Sequence, residues 1–183
     1  MRYRSGIAPT RGVRNIIVAL SVVLLGLLSL ARAGGQEKEK PDADAQFLTN
    51  VVPGIAASVK IIEYEVKNTS NAKVKEFAQR VLKQHRESVQ TASGHAKRLN
   101  IAVDADGDEG SKEMIDKMSK LKGSELDVAF LEWLSHIHHD ATLFENEVKN
   151  GSDAELKAYA KNSITAGNEH LREAQELLAE LKK

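Results

Sequence analysis

The side chains of this sequence best suited to chemistry are imidazoles and carboxylates, and they are densest at His136, His138, His139 and Asp140. These residues fall inside Ser124 to Asn150, where Leu126, Phe130, Trp133, Ile137, Ala141, Phe144 and Val148 recur at helical spacing. Projection at about 100° per residue turns His138 toward the apolar side and leaves Glu132, His136 and His139 outside it. The same projection puts His85 midway between Val81 and Val89 and brings His170 close to the centre of its own stripe. It sets Glu63 on the flank of another stripe beside Val59 and Val66, and Glu65 on the solvent side.

Glu63, His85, His138 and His170 are therefore the candidate ligands, one from each of four amphipathic segments. One carboxylate and three imidazoles suit a single zinc, iron or copper ion, because these metals accept imidazole readily. They do not suit a carboxylate-bridged di-iron centre, which draws on paired Glu-x-x-His motifs absent from this sequence. The same four groups also read as core polar residues that satisfy one another through hydrogen bonds. No catalytic residue is singled out. Cysteine is absent, so a thiolate site is excluded, and no serine stands in a recognisable nucleophile arrangement.

Four elements must position these groups. The first face runs through Leu48, Val51, Val52, Ile55, Val59, Ile62 and Val66, with Pro53 predicting a kink or a late start near Pro53-Gly54. Asn68 to Asn71 reads as a turn, and the second face follows from Val74 through Phe77, Val81, Leu82 and Val89 to Leu99. Asn100 to Gly123 is a long connection with a short helix expected around Ser111 to Lys120. Its Asp104, Asp106 and Asp108 alternate like the start of a calcium loop, but Glu109 and Ile115 occupy the positions that need glycine and glutamate. The third element is a continuous helix of about seven turns over Ser124 to Asn150. Gly151 stops it, and Ser152 with Glu155 reads as the capping box of the fourth, whose face runs from Leu156 to Leu181. Two short-looped pairs joined by a long crossover predict an all-α, ferritin-like four-helix bundle.

Composition agrees with helices packed through aliphatic side chains, since aromatic residues make up 4% of the 183-residue chain and prolines number three. Residues 1–15 hold four arginines and no acid, Ile16 to Leu30 is apolar, and Ala31-Arg32-Ala33 offers small residues for cleavage. Residues 1–33 are thus expected to be a signal peptide cut after Ala33, with a linker over 34–44 and the bundle over 45–183. The apolar run is shorter than the about twenty residues of a spanning helix, which favours cleavage over retention as an anchor. Loss of the leader takes 26 basic residues to 21 against 26 acids, a net charge of −5. That sign argues against nucleic acid as a partner.

Phe47-Leu48-Thr49-Asn50, then Ser70-Asn71-Ala72-Lys73-Val74-Lys75-Glu76-Phe77-Ala78-Gln79-Arg80 leading to His85, form one half of a pattern. Leu143-Phe144-Glu145 through Asp153-Ala154-Glu155-Leu156-Lys157-Ala158-Tyr159-Ala160 to His170-Leu171 repeats its cadence. Together they resemble the bacterial exported ferritin-like family known as domain of unknown function 4142, over about residues 45 to 181. The resemblance implies a signal peptide, a ferritin-like fold and a periplasmic or secreted location, and no established reaction. Where that family commonly has a glutamate early in the first helix, this chain has Ser58 or Lys60, and His138 is the best match to a histidine one residue out of register. The expectation is a non-enzymatic exported bundle acting by binding or structure, through a protein partner or self-association. The alternative is a metal-binding or redox protein with a reduced His/Glu site.

Overall fold

The computed structural model describes residues 42–183. The expected signal peptide over 1–33 and most of the expected linker lie outside the described residues. The elements are α1 (Ala43–Asn68), α2 (Ala72–Arg98), α3 (Asp108–Met118), α4 (Ser124–His139), α5 (Thr142–Asn150) and α6 (Ala154–Leu181). The architecture is an all-α four-helix bundle whose legs are α1, α2, α4 with α5, and α6.

Local chemistry sets the helix ends. Asp42 caps α1 through Asp44 N, and Asn71 caps α2 by accepting from Lys73 N and Val74 N. Asp153, not the expected Ser152, caps α6, its carboxylate accepting from Leu156 N at 2.8 Å. α1 begins ten residues before Pro53 and passes through it, so the late start does not occur. Apolar stripes then zip the legs together. Phe47, Leu48, Val51 and Val52 meet Ala92, Ala96, Leu156 and Ala160 at one end. Ile61, Ile62, Phe77, Val81, Phe130, Leu131 and Leu134 meet at the other. Each fully buried large side chain contributes about 1.5–3 kcal/mol against exposure. α1 is also long and apolar enough to cross a membrane by length and composition, yet 56% of its most apolar window is buried inside this bundle.

Polar contacts fix the directions. Arg86–Glu63 links α2 to α1, while Lys73–Glu180 and Arg98–Asp153 link α2 to α6 head to tail. Asp44 near the start of α1 reaches the turn after α5, and Thr69 just past the end of α1 bonds Asp127 in the first turn of α4. Neighbouring legs are therefore antiparallel, and α2 and α4 run the same way. That requires the long crossover over residues 99–123. Within the crossover Gly107 adopts φ +63°, and a Cβ there would fall 2.6 Å from Ala56 C and 2.8 Å from Ala57 Cα. The connection can lie against α1 at this point only because residue 107 is glycine. Of the three alternating aspartates, Asp108 pairs with Lys60, and Asp104 accepts from Asp106 N.

The third leg departs from expectation. Instead of one continuous helix it breaks at Asp140-Ala141, where Asp140 leaves helical geometry (φ −90°, ψ 93°) and its Oδ1 accepts from Thr142 N at 3.0 Å. An aspartate that can bond the amide two residues on competes with the helical backbone. The break re-aims α5, so that Glu147 is fully buried and Val148 only partly so.

Candidate metal centre

Three helices converge on three imidazoles. His85 on α2 and His170 on α6 are buried, at 8% and 6% exposure, and His138 in the last turn of α4 is half-buried. One nitrogen from each ring lies within 4.8 Å of the others. Ring centroids stand 4.9 Å apart for His138–His170, 5.4 Å for His85–His138 and 5.7 Å for His85–His170. His170 Nε2–H donates to Gln84 Oε1, and in that tautomer His170 Nδ1 accepts from His138 Nε2–H at 3.2 Å. His138 closes against Gly167, where a Cβ would stand 3.1 Å from its Nδ1. His170 is thus bonded by side chains at both ring nitrogens, the arrangement that fixes a ring's tautomer and aim.

The electrostatics keep all three rings neutral. Burial, reinforced by His138 and His170, lowers His85 to about 3. Burial and His170 lower His138 to about 4. Burial also lowers His170, with Arg80 adding to the effect and Glu169 opposing it. Neutral imidazoles present lone pairs at pH 7, which metal binding requires. His85 Nδ1 is buried with no hydrogen-bond partner, a rare condition for a core polar atom.

Of the four expected ligands the structure brings together His85, His138 and His170, and not Glu63. Glu63 pairs with Arg86 at 2.7 Å, on the flank where α1 meets α2. Ser58 is among the α1 residues that line the same cavity as the imidazoles, and its hydroxyl donates back to Gly54 O at 2.9 Å. A cavity of about 300 Å³ adjoins the three rings, walled by Val51, Ile55, Ile137, Phe144 and Ile164 among others. His136 and His139 are exposed, as the projection implied.

Sequence reasoning missed four buried acids. Glu65, expected at the solvent, is fully buried with neither oxygen bonded by a neighbour. Burial and the adjacent Asp127 carboxylate raise it from 4.5 to about 8. Asp127 in turn accepts from Thr69 Oγ1 at 2.6 Å. At the opposite end Glu147 is raised from 4.5 to about 7 by burial and by Asp44, which accepts from Ser152 N and Asp153 N at 2.8 and 3.1 Å. Each aspartate thus ties down the turn of the other hairpin, beside a buried glutamate from that hairpin. A signal for this existed: Asp44-x-x-Phe47-Leu48 recurs as Asp127-x-x-Phe130-Leu131, with Glu65 and Glu147 following 21 and 20 residues later. A further group, His95, Asp153 and Glu155, is drawn together by Arg98, which bonds Asp153 at 2.7 Å and Glu155 at 3.3 Å.

A four-helix bundle carrying polar groups from facing helices in its core is the class that fold and site define. Within it, the chain belongs to the family described as domain of unknown function DUF4142, whose model matches residues 29–177. Two solved structures share the fold. One is a candidate secreted protein of type DUF305 from Streptomyces coelicolor, at 16% identity and TM-score 0.68, covering 77% of this chain and 94% of that one. The other is a DUF305 fragment from Deinococcus radiodurans, at 13% identity and TM-score 0.67, covering 77% and 97%. Comparison with curated proteins finds no match.

Proposed function

We propose that this protein is an exported metal-binding bundle that holds one transition-metal ion on His85, His138 and His170. The observation that carries the reading is the convergence of three neutral imidazoles from three helices, one pair already 3.2 Å apart. Two nitrogens bound to one ion at about 2.0–2.1 Å and a tetrahedral angle lie about 3.3 Å from each other. The third ring needs a shift on the order of 1–2 Å to join them. The orphaned His85 Nδ1 and the Gln84 contact to His170 fit a site built for more than packing. A donor set of three imidazoles without thiolate or carboxylate selects zinc or copper over magnesium, calcium or manganese.

This reading favours metal binding over the purely structural role that the sequence suggested first, and it removes Glu63 from the ligand set. An ion with three protein ligands retains a position for an outside donor. Cleavage near Ala33 and a periplasmic or secreted location complete the proposal, with imidazole ligands that need no protection from oxidation.

The test is metal analysis of untagged protein after equilibration with zinc and gel filtration. One ion per chain is expected, falling below about 0.2 in His85→Ala, His138→Ala and His170→Ala and unchanged in Glu63→Gln. Equal uptake by the histidine variants overturns the assignment.

A further inference from the structure

We propose that the fourth position of this site takes the carboxylate of a small organic acid whose apolar tail fills the adjoining cavity. The inference rests on the metal reading above and goes on to the class of ligand. Charge gives the first argument. Three neutral imidazoles leave a divalent ion with its full positive charge in a buried setting, where an uncompensated charge is costly. No carboxylate belongs to the ligand group: Glu63 is committed to Arg86, and Asp140 sits exposed at the cavity rim, bonding Thr142 N. The position therefore calls for an anion from outside.

The cavity supplies the second argument. Its volume is about 300 Å³, and Val51, Ile55, Ile137, Phe144 and Ile164 form much of its wall. Such a space has the room of about ten water molecules and accepts an unbranched tail of up to about six carbons. The inward polar groups of the lining are spent, Ser58 on Gly54 O, Gln84 on His170, Ser88 on Tyr159 Oη and Ser163 on Tyr159 O, and Asn50 and Asn168 are exposed. A sugar or a peptide would bury hydroxyls or amides with few free partners there, at a cost that an alkyl chain does not meet. A single anionic head with an apolar body matches both the ion and the wall.

The test uses the exported full chain loaded with Co²⁺, whose visible absorption reports its coordination. Acetate, propionate, butyrate, pentanoate and hexanoate are titrated at fixed pH and ionic strength. Each added methylene is expected to tighten binding about fourfold until the cavity is filled. Ile55→Asn and Ile164→Asn are expected to flatten that series, because each puts an amide into the wall. Carboxylates that perturb the Co²⁺ bands with the same affinity whatever their length, or that leave the bands unmoved, overturn the proposal while the metal site stands. Failure of the Co²⁺ bands to form at all overturns both.

Discussion

Replacing Glu65 by glutamine removes an ionisable group while keeping its shape, and the structure fixes how the effect varies with pH. Glu65 is fully buried beside Asp127, and its proton affinity is raised from 4.5 to about 8. A carboxyl whose folded value lies above its unfolded value binds a proton in the native state that the unfolded chain has released. Stability is therefore greatest below the unfolded value and is lost as pH rises through about 8. Linkage over the interval from pH 6.5 to 9 puts the loss from this one group at about 2 kcal/mol. The buried imidazoles act in the opposite sense, since their lowered affinities cost stability as pH falls. That contribution is common to both proteins and cancels in the difference. Urea unfolding of wild type and Glu65→Gln at both pH values is expected to show the variant gaining about 2 kcal/mol on wild type as pH rises. A constant difference between the two proteins, or a variant that loses ground at pH 9, refutes the argument that Glu65 is held protonated.

Glu147→Gln is expected to behave in the same sense with a smaller gain, under about 1 kcal/mol over that interval, because its folded value is about 7. Gly107→Ala forces a side chain onto the Ala56–Ala57 backbone from a left-handed conformation, and thermal unfolding should register a loss of about 3 kcal/mol or more. Gly167→Val crowds His138 Nδ1; zinc competition against a chelator is expected to show at least about tenfold weaker binding, with helix content by circular dichroism retained. Arg98→Ala frees Asp153, whose affinity for protons Arg98 holds far below the ordinary carboxylate range, so hydrogen exchange should quicken in the first turn of α6.

Helical periodicity carried most of the fold. The stripes through Val74 to Leu99 and Leu156 to Leu181 are continuous, and a repeat of three to four residues leaves a helix no other face to bury. His85, His138 and His170 were legible for the same reason, since each lies within a stripe whose neighbours are apolar at three or four residues. Glu65 and Glu147 were not, because both sit near helix ends, where the packing partner is a turn of the other hairpin rather than a parallel stripe. A projection that assumes one straight partner sends Glu65 to solvent. Glu63 lies on the flank as projected, but a flank position can face the groove between two legs, and there Arg86 supplies its partner. The interruption at Asp140 was hidden because Ala141, Phe144 and Val148 keep the helical spacing across it. Only the capping chemistry of Asp140 toward Thr142 marks the end of α4.

The account depends on one ion seated between α2, α4 and α6. Crystals grown with zinc and measured on both sides of its absorption edge test this directly. A single anomalous peak is predicted about 2.0–2.1 Å from one nitrogen each of His85, His138 and His170. A peak elsewhere, such as beside Asp153 and Glu155, or no peak among the three rings at full zinc occupancy of the solution, contradicts it.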